Sequence, residues 1–136
     1  MKKTISFSSV PENLDIVERF VTNICDFEEI DERFFGNILI ALTEGATNAI
    51  NHGNNADPEK EVVLQYDIDG SRLKFVIQDQ GNGFDYENIP DPTLPENLEK
   101  VNGRGIFLIR NLSDELEFKD QGKVMEITFN LNEQPA

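Results

Sequence analysis

The sequence predicts an α+β fold, with a mixed, mostly antiparallel sheet covered on one face by helices. Three observations predict it. Apolar residues recur at helical spacing over two segments in the first fifty residues. Four segments in the rest of the chain, and one at its start, alternate apolar and polar as strands do. The resulting order is β-α-α-β-β, a long connection, then α-β-β, and helices followed by hairpins favour α+β over a parallel α/β fold. At 136 residues, without internal repeats or low-complexity stretches, the chain is expected to form one domain over 1–136.

Residues 3–9 alternate around Ile5 and Phe7, which predicts a short strand at a sheet edge. Ser9-Val10-Pro11-Glu12 has the form of a capping box, with Ser9 as N-cap of a helix over 10–25 whose inner side is Leu14, Val17, Val21 and Ile24. Asp31 or a neighbour is expected to cap a second helix with the stripe Phe34, Phe35, Ile38, Leu39, Leu42, Ala46, Ala49 and Ile50. Glu44, Thr47, Asn48 and Asn51 lie off that stripe. Gly and Asn in His52-Gly53-Asn54-Asn55 favour a left-handed stop. Residues 61–69 and 72–79 alternate on either side of Asp69-Gly70, a strong hairpin signal. Residues 80–102 hold Pro90, Pro92 and Pro95 among turn residues, and so long a connection is usually a functional lid or disordered. Gly103-Arg104-Gly105 ends it and starts a short helix with Ile106, Ile109 and Leu112 inward. Strands over 115–119 and around Met125, Ile127, Phe129 and Leu131 close the chain, joined by a turn at Gln121-Gly122.

Composition excludes several classes. No apolar run approaches the roughly 20 residues of a membrane span, and Met1-Lys2-Lys3-Thr4-Ile5 is not followed by the apolar core of a secretory signal. Cys25 is the single cysteine, which excludes an internal disulfide and a cysteine metal site and fits a reducing cytoplasm. The net charge of −14 opposes nucleic-acid binding and supports solubility. In that field a nucleotide would need Mg²⁺, backbone N–H groups and a few placed cations around its phosphates.

Three constellations could carry chemistry. Asp79-x-Gly81-x-Gly83 follows a predicted strand; its carboxylate could accept a hydrogen bond from the exocyclic amine of adenine, and its glycines allow close approach to a ring or phosphate. By itself it also fits a plain turn, and much less well a Ca²⁺ loop, because the EF-hand spacing is absent. Gly103-Arg104-Gly105 before a helix could meet an anion with free N–H groups and a guanidinium, or be a surface turn with a solvated Arg104. Glu44 and Asn48 are four apart and share a helix face. Asn is a poor helix former, so its placement there fits either a Mg²⁺ ligand beside a proton-accepting carboxylate or a solvated polar face. The lone His52 is read as polar packing at a helix end. Neither a Walker A sequence nor a Rossmann fingerprint is present.

Taken in order, Glu44-x-x-x-Asn48, Asp79-x-Gly81-x-Gly83 and Gly103-x-Gly105 resemble the N, G1 and G2 boxes of the GHKL (Bergerat-fold) ATPases. Ala41-Leu42-Thr43-Glu44-x-x-Thr47-Asn48-Ala49 and Gly105-Ile106-Phe107-Leu108-Ile109 are most similar to the bacterial anti-sigma-factor serine/threonine kinases of the RsbW/SpoIIAB type. The resemblance spans nearly the whole chain. It implies a two-layer α/β sandwich with an ATP lid at about 84–102, using ATP and Mg²⁺. It further implies Glu44 as general base and Asn48 as the Mg²⁺ ligand. Asp79 would bind the adenine amine with Gly81 and Gly83 making room, and Gly103, Arg104 and Gly105 would meet the phosphates. Its partners would be a STAS-domain anti-anti-sigma protein, as phosphoacceptor, and a sigma factor. A cytoplasmic homodimer is expected, with no nucleic acid or membrane partner. The alternative within the same fold is an ATP/ADP-gated regulatory module without kinase activity.

Overall fold

Alternation in the sequence becomes a sheet with one greasy face. In the computed structural model, which describes residues 2–81 and 101–132, the strands are β1 (Lys2–Ser8), β2 (Glu61–Asp69), β3 (Arg72–Gln78), β4 (Glu115–Lys119) and β5 (Val124–Asn130). They form one five-stranded sheet in the order β1-β2-β3-β5-β4, so β1 is the edge strand that its alternation predicts. Val62, Leu64 and Tyr66 of β2, Leu73, Phe75 and Ile77 of β3, and Met125, Ile127 and Phe129 of β5 turn inward and are buried. The opposite face carries ion pairs such as Lys74–Glu126 at 2.7 Å and Lys119–Glu126 at 3.0 Å.

Helices α1 (Leu14–Phe27), α2 (Phe35–Asn48) and α3 (Val101–Leu112) cover the apolar face, with α2 packed against both others. This is the two-layer α+β arrangement the sequence predicts. The sheet differs from expectation in one respect. Every pair among the described strands is antiparallel, and none is parallel. The chain leaving β3 crosses through α3 to β4, and that strand runs parallel to β3. Strand β5 then folds back between them and pairs antiparallel with both. The parallel relation exists, but never between neighbours.

The core lies between the layers. Rings of Phe20, Tyr66, Phe75 and Phe129 contact in succession from α1 across β2, β3 and β5, at centroid separations of 6.1, 6.4 and 6.2 Å. Separations of this size suit edge-to-face and tilted aromatic pairs. The Tyr66 hydroxyl donates to Glu28 at the end of α1 (2.8 Å), which satisfies the one polar atom of the row.

Both boundaries of the first helix depart from the sequence reading. Ser9 is no N-cap: it is fully buried, Val10 caps a 3-10 turn over Pro11–Asn13 without a side-chain bond, and α1 continues to Phe27. Asn54 takes the Ser9 hydroxyl as partner, so it is not free to cap. Asp31 does cap, accepting from the Arg33 N–H (3.0 Å) at the 3-10 turn Glu32–Phe34 that leads into α2. The end of α2 widens into a π turn over Ala49–Gly53, closed by the Asn54 N–H on the Ala49 carbonyl (2.9 Å), and the left-handed stop expected within 52–55 comes at Asn55, with Ala56 also at positive φ. The hairpin loop is Gly70-Ser71, one residue later than the Asp69-Gly70 signal, with Asp69 paired to Arg72.

Helix α2 sits close to the sheet because Gly45 faces it. A Cβ at Gly45 would lie 2.6 Å from Ile77 Cδ1 and 3.2 Å from Met125 Sδ. Overpacking of this kind costs about 1–3 kcal/mol. Gly45→Val is therefore expected to lower the urea midpoint by a stability loss of about 1–3 kcal/mol with the m-value unchanged, measured by circular dichroism. An unchanged midpoint would show that the two layers yield freely.

Candidate functional site

Asp79 lies just past the end of β3, at the rim of the sheet, and is only 7% exposed. Its own N–H donates to the Lys123 carbonyl (3.0 Å), and its Oδ1 accepts from the Gly81 N–H (2.8 Å). Behind the carboxylate is Gly53, the last residue of the π turn, where any Cβ would overlap the Asp79 side chain. A Cβ at Gly81 would likewise overlap the Gly53 carbonyl. The room that Gly81 provides is thus taken up by backbone from the end of α2. Burial raises the Asp79 pKa above the usual carboxylate range, while the Gly81 N–H, Lys123 and Lys60 pull it down. The charged form is costly here and only partly compensated.

Glu44 and Asn48 project from α2 one turn apart, as their spacing predicts. Glu44 is half-buried and Asn48 is 7% exposed. Among the described residues neither side chain has a hydrogen-bond or ion-pair partner. For a buried amide this is unusual, because unpartnered burial costs about 1–3 kcal/mol. Glu44 faces α3: a Cβ on Gly105 would stand 3.0 Å from Glu44 Oε2. Gly105 is buried at this contact, and Arg104 beside it is exposed.

Gly103-Arg104-Gly105 does not precede the helix, as expected from the sequence. Helix α3 begins at Val101, so these residues fall within its first turns. Gly105 leaves room beside the Glu44 carboxylate, the terminal atom nearest to where its Cβ would lie, although glycine is a weak helix former. Gly83 and residues 84–100 of the expected lid lie outside the described residues, and 101–102 belong to α3.

The structure therefore brings the predicted residues together along one helix. Helix α2 places Glu44 against α3 and Asn48 one turn later, and its π turn reaches Asp79 at Gly53, roughly 13 Å from Glu44 by helical rise. The sequence reading missed Asn54. It is 0% exposed, and its Oδ1 accepts from the Gln80 N–H (2.7 Å) while its Nδ2 donates to Ser9 Oγ (2.6 Å) and to the Glu61 carbonyl (2.9 Å). Nothing in the run Gly53-Asn54-Asn55 distinguishes the buried asparagine from its exposed neighbour.

The family model of the histidine kinase-like ATPase domain matches residues 7–129, nearly the entire chain. The chain belongs to this family. Among curated relatives of this histidine kinase-like ATPase domain is the serine-protein kinase RsbW of Oceanobacillus iheyensis, 28% identical over 121 residues, covering 85% of this chain and 77% of the relative. RsbW of Listeria innocua is 25% identical over 139 residues, with 97% and 88% covered. RsbW of Staphylococcus epidermidis is 37% identical over 91 residues, with 61% and 57% covered. These matches bear out the GHKL resemblance of the RsbW type drawn from the three boxes.

The raised pKa of Asp79 gives a signed prediction for this ATPase domain. A carboxyl whose folded pKa exceeds its unfolded value costs stability once ionised, and the cost disappears below the unfolded pKa. Asp79→Asn keeps an acceptor for the Gly81 N–H without the charge. Its nucleotide-free form is expected to melt above the wild type at pH 7. The gain should shrink as pH falls through the raised pKa, as followed by calorimetry. A variant melting lower at pH 7 would contradict the burial argument.

Proposed function

We propose that this chain is an ATP-dependent serine/threonine protein kinase that acts as an anti-sigma factor. It would phosphorylate a STAS-domain anti-anti-sigma protein and sequester a sigma factor, as a homodimer in the cytoplasm. The observation that carries the reading is the Glu44 carboxylate beside Gly105 in the first turns of α3, with the Asn48 amide, which has no partner among the described residues, one turn away. The kinship with proteins named serine-protein kinase supports it. Among the described residues no helix is long and apolar enough to cross a membrane.

Asp79 receives the adenine amine near Gly53 at the C-terminal end of α2, with Gly81 and Gly83 making room as the family resemblance implies. The first-turn N–H groups of α3, with Gly103, Arg104 and Gly105, face the phosphates on the side of α2 where Glu44 meets Gly105. Asn48 suits Mg²⁺ because its side-chain oxygen has no protein partner among the described residues. No group of three or more His, Cys, Asp or Glu side chains forms a metal site among them, so phosphate oxygens and water would supply the remaining ligands. When bound, the ion offsets phosphate charge in a strongly acidic chain. Glu44 takes the proton from the acceptor hydroxyl. That oxygen then bonds to the γ-phosphorus as the bond to the β–γ bridging oxygen breaks and ADP leaves. The protein's main contributions are position and charge neutralisation.

In a transfer assay with Mg-ATP and a STAS-domain acceptor, Glu44→Gln is expected to lose at least about a hundredfold in rate, as is usual for a general base, and to retain nucleotide binding in calorimetry. Asn48→Ala should weaken Mg-ATP binding itself. ATP binding that persists in wild type with no transfer to any STAS-domain acceptor would replace the kinase with a nucleotide-gated regulatory module.

A further inference from the structure

Asn54 occupies a junction that the proposed chemistry does not use. Four stretches of chain meet there: the end of β1 at Ser9, the π turn after α2, the start of β2 at Glu61, and Gln80 between Asp79 and Gly81. Both donors of its amide are spent on Ser9 Oγ and the Glu61 carbonyl, and its oxygen accepts from Gln80. The amide orientation is fixed by these partners, because a backbone N–H must meet Oδ1 and a carbonyl must meet Nδ2. Gln80 reinforces the junction by accepting the Glu61 N–H on its Oε1 (2.7 Å).

The turn 79–81 is therefore held at three successive N–H groups: Asp79 on Lys123, Gln80 on Asn54 and Gly81 on the Asp79 carboxylate. Only the middle one depends on a side chain from outside the turn. Removing it frees the peptide between Asp79 and Gly81 to pivot, and the carboxylate pivots with it. Adenine offers an amine donor to such a carboxylate. Guanine offers a carbonyl oxygen at the same edge, which a fixed carboxylate repels. Discrimination between them depends on how firmly the acceptor is held.

We propose that Asn54 is the positioning residue for base recognition: through Gln80 it fixes the Asp79 carboxylate and so sets the preference for adenine over guanine nucleotides. This rests on the reading of Asp79 as the adenine acceptor. Titration of ADP and GDP into wild type, Asn54→Ala and Asn54→Asp tests it. Asn54→Ala is expected to lower the ADP-over-GDP affinity ratio about tenfold, the value of one lost hydrogen bond. Asn54→Asp keeps an acceptor for the Gln80 N–H and should retain most of the ratio. Both variants lose the donor to the Glu61 carbonyl and should melt lower, so a purely structural role would lower both melting points and leave both ratios unchanged.

Linkage supplies a second measurement on the unaltered protein. If Asn54 and Gln80 position the acceptor for adenine, adenine binding must in turn strengthen their bond. Exchange of the Gln80 amide proton should therefore slow more with saturating ADP than with saturating GDP. This decides the matter if Asn54→Ala does not fold. A folded Asn54→Ala with the wild-type ratio, equal loss in the Asp variant, or Gln80 exchange indifferent to the base would each overturn the proposal. A wild type that binds neither nucleotide would instead remove the underlying reading of Asp79. A wild type that prefers ADP while Asn54→Ala keeps the ratio would overturn only the role of Asn54.

Discussion

The end of α2 and the end of β3 touch backbone to backbone, and most of the site geometry follows from that contact. Gly53 and Gly81 approach so closely that a methyl group on either would enter the opposing chain. A helix end brought this near a strand end would bury polar backbone, and buried N–H and carbonyl groups need partners. The π turn closes one, through the Asn54 N–H, and the Asn54 side chain closes two more on Gln80 and Glu61. What remains between the elements is the carboxylate of Asp79, buried because the chain leaves it little room elsewhere.

The same helix is tied at three levels by missing side chains. Gly45 brings it onto the sheet, Gly53 brings its end to Asp79, and α3 meets it where Gly105 faces Glu44. Glycine within a helix costs about 1 kcal/mol relative to alanine, so these positions trade local stability for closeness. A carboxylate raised in pKa by burial and an amide buried without a partner among the described residues add to that cost. Function concentrates where the fold is least relaxed, as expected when polar groups are held ready for a ligand rather than for each other.

Much of the architecture was legible because alternation and helical spacing report burial directly. β1, β4 and the inward residues of β2, β3 and β5 follow from period two, and the stripe of α2 from its heptad-like spacing. The misreadings share a cause. Ser9 has the local chemistry of a cap, and Gly103-Arg104-Gly105 that of a turn. In each case tertiary context is what a local reading does not record: Asn54 is the partner of Ser9, and 103–105 lie within α3, which packs on α2. The antiparallel sheet was hidden similarly, since inserting β5 between β3 and β4 is a choice of strand order that no single strand records. Glu44, Asn48 and Asp79 were legible as candidates through the order and spacing of three motifs, while Asn54 belongs to no motif.

Two buried asparagines near one helix end show how structure separates roles that residue type does not. Asn54 is saturated, with both amide donors and its oxygen engaged by protein groups. Asn48 is nearly as buried and engages none among the described residues. Saturation means that the folded chain already supplies everything the amide can bind, so its effect on a ligand must be indirect, through the groups it holds. An unpartnered amide is the opposite case. Its polar atoms, like those of the half-buried Glu44 one turn away, are engaged by no other group among the described residues, which is what the proposed direct role requires. Hydrogen bonding thus separates two identical side chains: one can act on a ligand only through the groups it holds, while the other, among the described residues, leaves its amide open to direct contact.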